Sequence, residues 1–169
     1  MVNKTIFLVF CLCLMFFKPN KMNSQTYRSF SLVHSPGSID NSGYSVGVQF
    51  EYEVEWIYIS PEIYLFPNLN DYTYFHTMLR LGVKYEPYIS NNFSLKYHAG
   101  PRLGFIFRET APCVYVNLGL ETGIQLTHSY TGWFIRGSVS NDWRTDSKLW
   151  GNDPTHSVAS GWLTIGKRF

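Results

Sequence analysis

The residues best suited to do chemistry in this chain are acids and bases at alternating positions. Glu51, Glu53, Glu62 and Glu121 stand against Arg80, Lys84, Arg102 and Arg136. Such a set forms either a path for protons or ions or a salt-bridged interior. Buried charges need partners, and the two signs are balanced here, so a bridged interior is expected if the enclosing space is narrow. A second set, Asp142, Asp146, Asn152, Asp153 and His156, offers oxygen ligands of the kind that hold calcium. Its spacing follows no known loop motif, so a solvated loop is expected, with neither metal nor cofactor. Cys113, at a loop end, is the one cysteine beyond residue 24. It is expected to be inert and has no partner for an internal disulfide.

The elements that must position these groups show in the alternation. Strict alternation of apolar and polar residues marks a strand with two unlike faces. From Tyr44 to Val54 the apolar parity holds Tyr44, Val46, Val48, Phe50, Tyr52 and Val54, and the polar parity holds Ser45, Gly47, Gln49, Glu51 and Glu53. The same pattern recurs from Tyr27 to Val33 and after a tight turn near Glu55-Trp56. It returns from His76 to Tyr85, Phe93 to Phe107, Val114 to Leu126, Trp133 to Ser140 and Val158 to Phe169. That predicts eight strands. Loops are expected at 34–43, 67–71, 108–113 and 144–157, with shorter turns at Glu55-Trp56, Pro87–Asn92 and His128–Tyr130. Pro61 and Pro101 fall inside strands, where bulges would absorb the lost donors.

The outward face follows from three features. Glycines 47, 82, 100, 104, 119, 123 and 166 share the polar parity, as a narrow interior requires. From the second strand to the seventh, the central charges share it too, Lys96 included. Aromatics of apolar parity cluster at strand ends: Tyr44, Phe107 and Trp143 at one level, and Tyr52, Tyr85, Phe93, Trp133 and Phe169 at the other. Girdles at two levels and short turns opposite longer loops belong to transmembrane barrels. Lys167 takes the apolar parity but sits at a strand end, from which it can snorkel. Tyr72, Tyr74, Phe75 and Trp150 read as exposed aromatics able to contact lipopolysaccharide or a partner. A soluble barrel with an apolar interior is the alternative that alternation leaves open. A charge test follows: Leu120→Arg should be costly on the lipid face and Gln125→Arg, of interior parity, milder.

Composition agrees. The chain has 169 residues, with 18% aromatic and only 15% charged residues. Its longest apolar run, Ile6 to Phe17, is too short for the ~20 residues of a membrane helix. Following Lys4 and preceding a polar stretch, that run reads as a signal peptide covering residues 1–24, cut before Gln25. Residues 25–169 then form the barrel domain. Without the leader's Lys4, Lys18 and Lys21, 11 basic and 12 acidic residues remain, and no nucleic-acid partner is implied.

The chain ends on Gly166-Lys167-Arg168-Phe169, with Leu163 and Ile165 just before. An apolar terminal strand suits a closed barrel, whose last strand pairs with its first. Strand count, alternation, loop asymmetry and this ending make the chain resemble the small eight-stranded outer-membrane barrels of the OmpA and OmpX type. The resemblance spans essentially all of residues 25–169. It implies Gram-negative outer-membrane residence, a monomer among outer-membrane lipids and lipopolysaccharide, and a C-terminal signal for the barrel-insertion machinery in Leu163, Ile165, Gly166 and Phe169. Lys167 departs from the aromatic usual there. The leader ending before Gln25 resembles those of Bacteroidetes outer-membrane proteins.

A narrower resemblance, to the PagL-type lipid A deacylases, touches Ser138-Val139-Ser140-Asn141. That family carries His-x-Ser-Asn. Ser140 and Asn141 match, Ser138 stands in place of the histidine, and Asn152 falls where the acid belongs. The resemblance makes Ser140 a candidate nucleophile, with His156 as a base reaching in from the next loop. A serine without a base is a poor nucleophile. The reading is therefore an all-β, eight-stranded antiparallel up-and-down transmembrane barrel without a wide pore. Its role is structural or in surface interaction; lipid A or phospholipid hydrolysis is the alternative.

Overall fold

The computed structural model describes residues 26–35, 44–69, 72–87, 89–108, 114–145 and 157–169. Eight strands follow in chain order: β1 (Thr26–Ser35), β2 (Ser45–Val54), β3 (Ile57–Leu69), β4 (Tyr72–Tyr85), β5 (Phe93–Arg108), β6 (Val114–His128), β7 (Trp133–Arg144) and β8 (Ser157–Arg168). Each pairs antiparallel with its neighbours in sequence, and β8 pairs with β1, so the sheet closes into an up-and-down barrel. Closure runs from His34 opposite Leu163 to Ser29 opposite Arg168. It reaches the last residue: Phe169 N donates to the Arg28 carbonyl at 2.7 Å.

At one end, the turn end, the connections are tight. Glu55 takes a left-handed φ of 49° in the two-residue link between β2 and β3. Gly132, at φ 73°, closes the link between β6 and β7. A Cβ there would strike the Arg168 carbonyl, which makes glycine the fitting residue. The opposite, loop end holds the longer strands. Pro67 to Leu69 belong to β3, Arg108 to β5, Asp142 and Arg144 to β7 and Ser157 to β8, where loops were expected. Ladder pairing outlasts the alternation there: Phe66 faces Tyr74 and Leu69 faces Tyr72, with a register shift between them. The β3–β4 connection is therefore short rather than long.

The two prolines are absorbed without bulges, contrary to expectation. Pro61 faces Leu79 in a continuous β3–β4 ladder. On its β2 side, pairing lapses between Gln49–Glu62 and Tyr52–Ile59 and resumes in the same register. The Phe50 carbonyl, opposite Pro61 across the lapse, accepts instead from Ser60 Oγ at 3.2 Å. A neighbouring hydroxyl thus stands in for the donor that proline lacks. Pro101 faces Leu120, and the β4–β5 ladder lapses beside it in the same way. There β4 and β5 press so close that a side chain at Gly100 would meet the Leu81 carbonyl and Gly82 Cα.

The faces are as the parity predicts. Phe30, Leu32, Leu120, Val139 and Ile165 lie outside and at least half exposed, while Glu51, Arg80, Lys96, Arg102 and Arg136 lie inside at 2% or less. An apolar exterior band around a polar interior is the transmembrane arrangement and the inverse of a soluble carrier barrel. Tyr85, Trp133 and Phe169 are exposed at the turn end, Tyr44 and Trp143 at the loop end.

Candidate functional site

Inward positions of every strand converge on a lumen filled with side chains, as eight strands allow. Arg80 of β4 is its hub. Its Nε lies 2.7 Å from Glu62 of β3, one Nη lies 3.2 Å from Glu51 of β2, and the other bonds Glu121 of β6. Three carboxylates from three strands surround this guanidinium, and two of them, Glu51 and Glu121, accept hydrogen bonds from its Nη atoms. Arg102 of β5 continues the chain upward, 3.1 Å from Glu121 and 3.7 Å from Asp142 of β7. Its guanidinium also lies over the Trp162 ring at 4.7 Å. Below, Lys96 reaches Glu51 at 2.6 Å and Glu53 at 2.8 Å, and Lys84 bonds Glu53. Arg136 reaches Glu51 at 2.7 Å and Gln125 at 2.9 Å.

All eight residues named from the sequence thus enter one network. Alternation did not flag Asp142, assigned to a loop, or Arg168, which at the turn-end mouth bridges Glu53 at 3.1 Å and Glu86 at 2.7 Å. Glu86 lies in the turn beyond β4. Burial pushes its carboxyl up, but the Arg168 guanidinium outweighs this and leaves it below the usual carboxylate range.

The loop end of the lumen adds an apolar cluster to the polar interior expected throughout, set among the buried His76, Asn117 and Arg144. Val33, Tyr64, Phe66, Tyr74, Met78, Ile106 and Trp162 form a buried cluster above the charges. Tyr74, read as an exposed aromatic, is 1% exposed and points inward. Tyr64 ties the two layers together by donating its hydroxyl to Glu62. The parity of Tyr74 is that of His76 and Arg80, but Tyr74 precedes the stretch in which the alternation of β4 is clear.

Ser140 faces this lumen, 5% exposed. Its hydroxyl donates to Asp142 at 3.0 Å and accepts from Trp162 Nε1 at 2.9 Å. That environment engages both functions of the hydroxyl and holds it away from the lipid face. Asp146, Asn152, Asp153 and His156 of the calcium-type set lie outside the described residues, as do Cys113 and Trp150. Asp142, assigned to that set, points into the lumen on β7 and bonds Arg102 instead. Leu163, Ile165 and Phe169 of the C-terminal segment face outward, while Gly166 faces in, where a Cβ would meet Ser31 and Phe134.

This architecture has solved counterparts. The chain is similar to the N-terminal β-barrel domain of Pseudomonas aeruginosa OprF, at 10% identity over 86% of this chain and 99% of that one, with a TM-score of 0.57. It is also similar to Neisserial surface protein A, at 15% identity over 85% and 95% of the two chains, with a TM-score of 0.55. No protein-family model and no curated protein matches the chain. The fold is that of the eight-stranded transmembrane barrels, the class to which these outer-membrane proteins belong.

Proposed function

We propose that this chain is an integral outer-membrane protein of a Gram-negative bacterium, with a structural or surface-interaction role and no wide pore. The observation that carries the reading is the lumen. Arg80 bridges Glu51, Glu62 and Glu121, drawn from strands around the barrel, and an aromatic cluster covers that network on the loop side. A solute would have to break buried ion pairs at several levels, each break leaving a charge uncompensated. In this reading the exterior belt meets outer-membrane lipid, and the loop end faces the cell exterior near lipopolysaccharide. Residues 1–24 are the removed leader, of the Bacteroidetes kind suggested by Gln25, and the barrel acts as a monomer. Leu163, Ile165, Gly166 and Phe169 present the closing strand to the insertion machinery.

The placement of Ser140 inside the lumen supports a non-enzymatic role over lipid A hydrolysis. Fractionation of a Gram-negative host expressing the full chain tests the reading. It should recover the protein in heat-modifiable form from the outer membrane, with lipid A unchanged by mass spectrometry. Soluble protein in the periplasm, or deacylated lipid A, would overturn it.

A further inference from the structure

Carboxylate, lysine and arginine residues on the described strands point inward almost without exception. Among Asp, Glu, Lys and Arg on the described strands, two face out: Arg28 of β1 and Lys167 of β8. Both are cations, and they fall together. Phe30 faces Lys167 across the closing seam, and backbone hydrogen bonds join Arg28 to Phe169. Arg28 and Lys167 are therefore diagonal neighbours on adjacent strands, close enough for side chains to converge. Neither has an ion-pair partner among the described residues. Like charges at such a separation repel each other unless an anion lies between them.

The surroundings fit a lipid. Lys167 lies between Phe30 and Trp133 in register, and Arg28 lies opposite Tyr52. This places aromatic rings on the flanks of the two cations, at the turn-end girdle. The next row toward the middle of the belt is Leu32, Ile165 and Ile135, aligned across β1, β8 and β7 and all exposed. Cations at headgroup depth above a continuous apolar track match a molecule with a phosphate at one end and acyl chains at the other.

We propose that Arg28 and Lys167 form a headgroup site for an anionic diacyl phospholipid in the leaflet at the turn end, its phosphate held between the two cations. The site rests on the membrane-spanning reading and adds to it a specific lipid partner. It also explains why the seam tolerates two charges on its lipid face: at headgroup depth the cost of such charges is small, and the phosphate offsets their mutual repulsion.

The test uses the mature protein refolded into nanodiscs of equal phosphatidylglycerol and phosphatidylcholine, with retained lipids read by native mass spectrometry. Wild type should retain one phosphatidylglycerol over phosphatidylcholine by on the order of thirtyfold, as two basic residues at a lipid surface would give. R28Q/K167Q should lose that preference, and R28K should keep it. If the double variant does not fold, wild type at raised salt replaces it, since screening should erase the preference. Equal retention of the two lipids by wild type, or a preference untouched by the double variant or by salt, would overturn the site. Folding into phosphatidylcholine alone is read separately: its failure strikes the membrane-spanning reading, whereas success without lipid preference strikes the headgroup site only.

Discussion

Arg136 and Glu51 stand on β7 and β2, strands that share no ladder, and their side chains meet at 2.7 Å across the lumen. Their meeting means that the interior is spanned by protein. Glu51 also takes Lys96 and Arg80, so one carboxylate joins three cations from three different strands. The barrel wall is thus cross-braced from within, in addition to its backbone ladders.

The hub should carry a measurable share of stability. Arg80→Ala takes one cation each from Glu51 and Glu121 and leaves Glu62 with Arg102, 3.9 Å away, as its counter-charge; breaking a buried pair by removing one partner costs about 3–5 kcal/mol. Urea titration of the variant in lipid vesicles should show that loss. A loss below about 0.5 kcal/mol, the range of a neutral surface change, would mean the ion pairs are not formed in the membrane.

The outer face is tested by Leu120, which is 67% exposed on β6. Leu120→Arg should cost ~2–4 kcal/mol if the residue lies near the bilayer midplane, while Leu120→Phe should change little. The same refolding assay reads both, and a neutral Leu120→Arg would place this face away from lipid. Gln125→Arg is not the mild control that parity alone suggests. Gln125 is 1% exposed and accepts from Arg136, so a second guanidinium there would face a like charge.

Closure depends on the last residue. Phe169 exchanges two backbone hydrogen bonds with Arg28 and exposes its ring at the turn-end girdle. Removing it should leave synthesis and export unchanged and lower the folded, heat-modifiable fraction in the outer membrane. Undiminished insertion would show that the seam closes without it.

The Glu86–Arg168 pair should make part of the stability depend on pH. The folded carboxyl titrates below its unfolded value, which is about 4.3 for Glu. Its contribution is therefore complete above that unfolded value and is lost as pH falls through the lower folded one. Glu86→Gln should be less stable than wild type at neutral pH, and the gap should close toward strong acid. A gap that stays constant from neutral pH into acid would rule the pair out as its source.

Much of this architecture was legible in the alternation, because period two reports directly which face each residue takes. Glu51, Arg80 and Arg136 could be placed inside without any coordinates. Their partners could not, since parity gives the face and not the level, and contacts such as Arg136 with Glu51 cross the barrel rather than follow a ladder. The loop-end cap was missed although Tyr74, Phe66 and Ile106 hold inward parity: Phe66 and Tyr74 lie beyond the part of each strand where the alternation is clear, and apolar residues at inward positions blur the polar pattern that marks that face. Asp142 was missed for a related reason: β7 continues past Ser140 through polar residues that read as the start of a loop. Pro61 gave no sign that Ser60 would supply the missing donor.

The central claim is a membrane barrel sealed by its own side chains, and conduction through a planar bilayer tests it most directly. Purified wild-type protein should show little or no steady ion current, because Arg80, Arg102, Lys96 and Arg136 hold the carboxylates of the surrounding strands at several levels. Large, stable single-channel conductance in a clean preparation would contradict the account and make the same charges the lining of a pore.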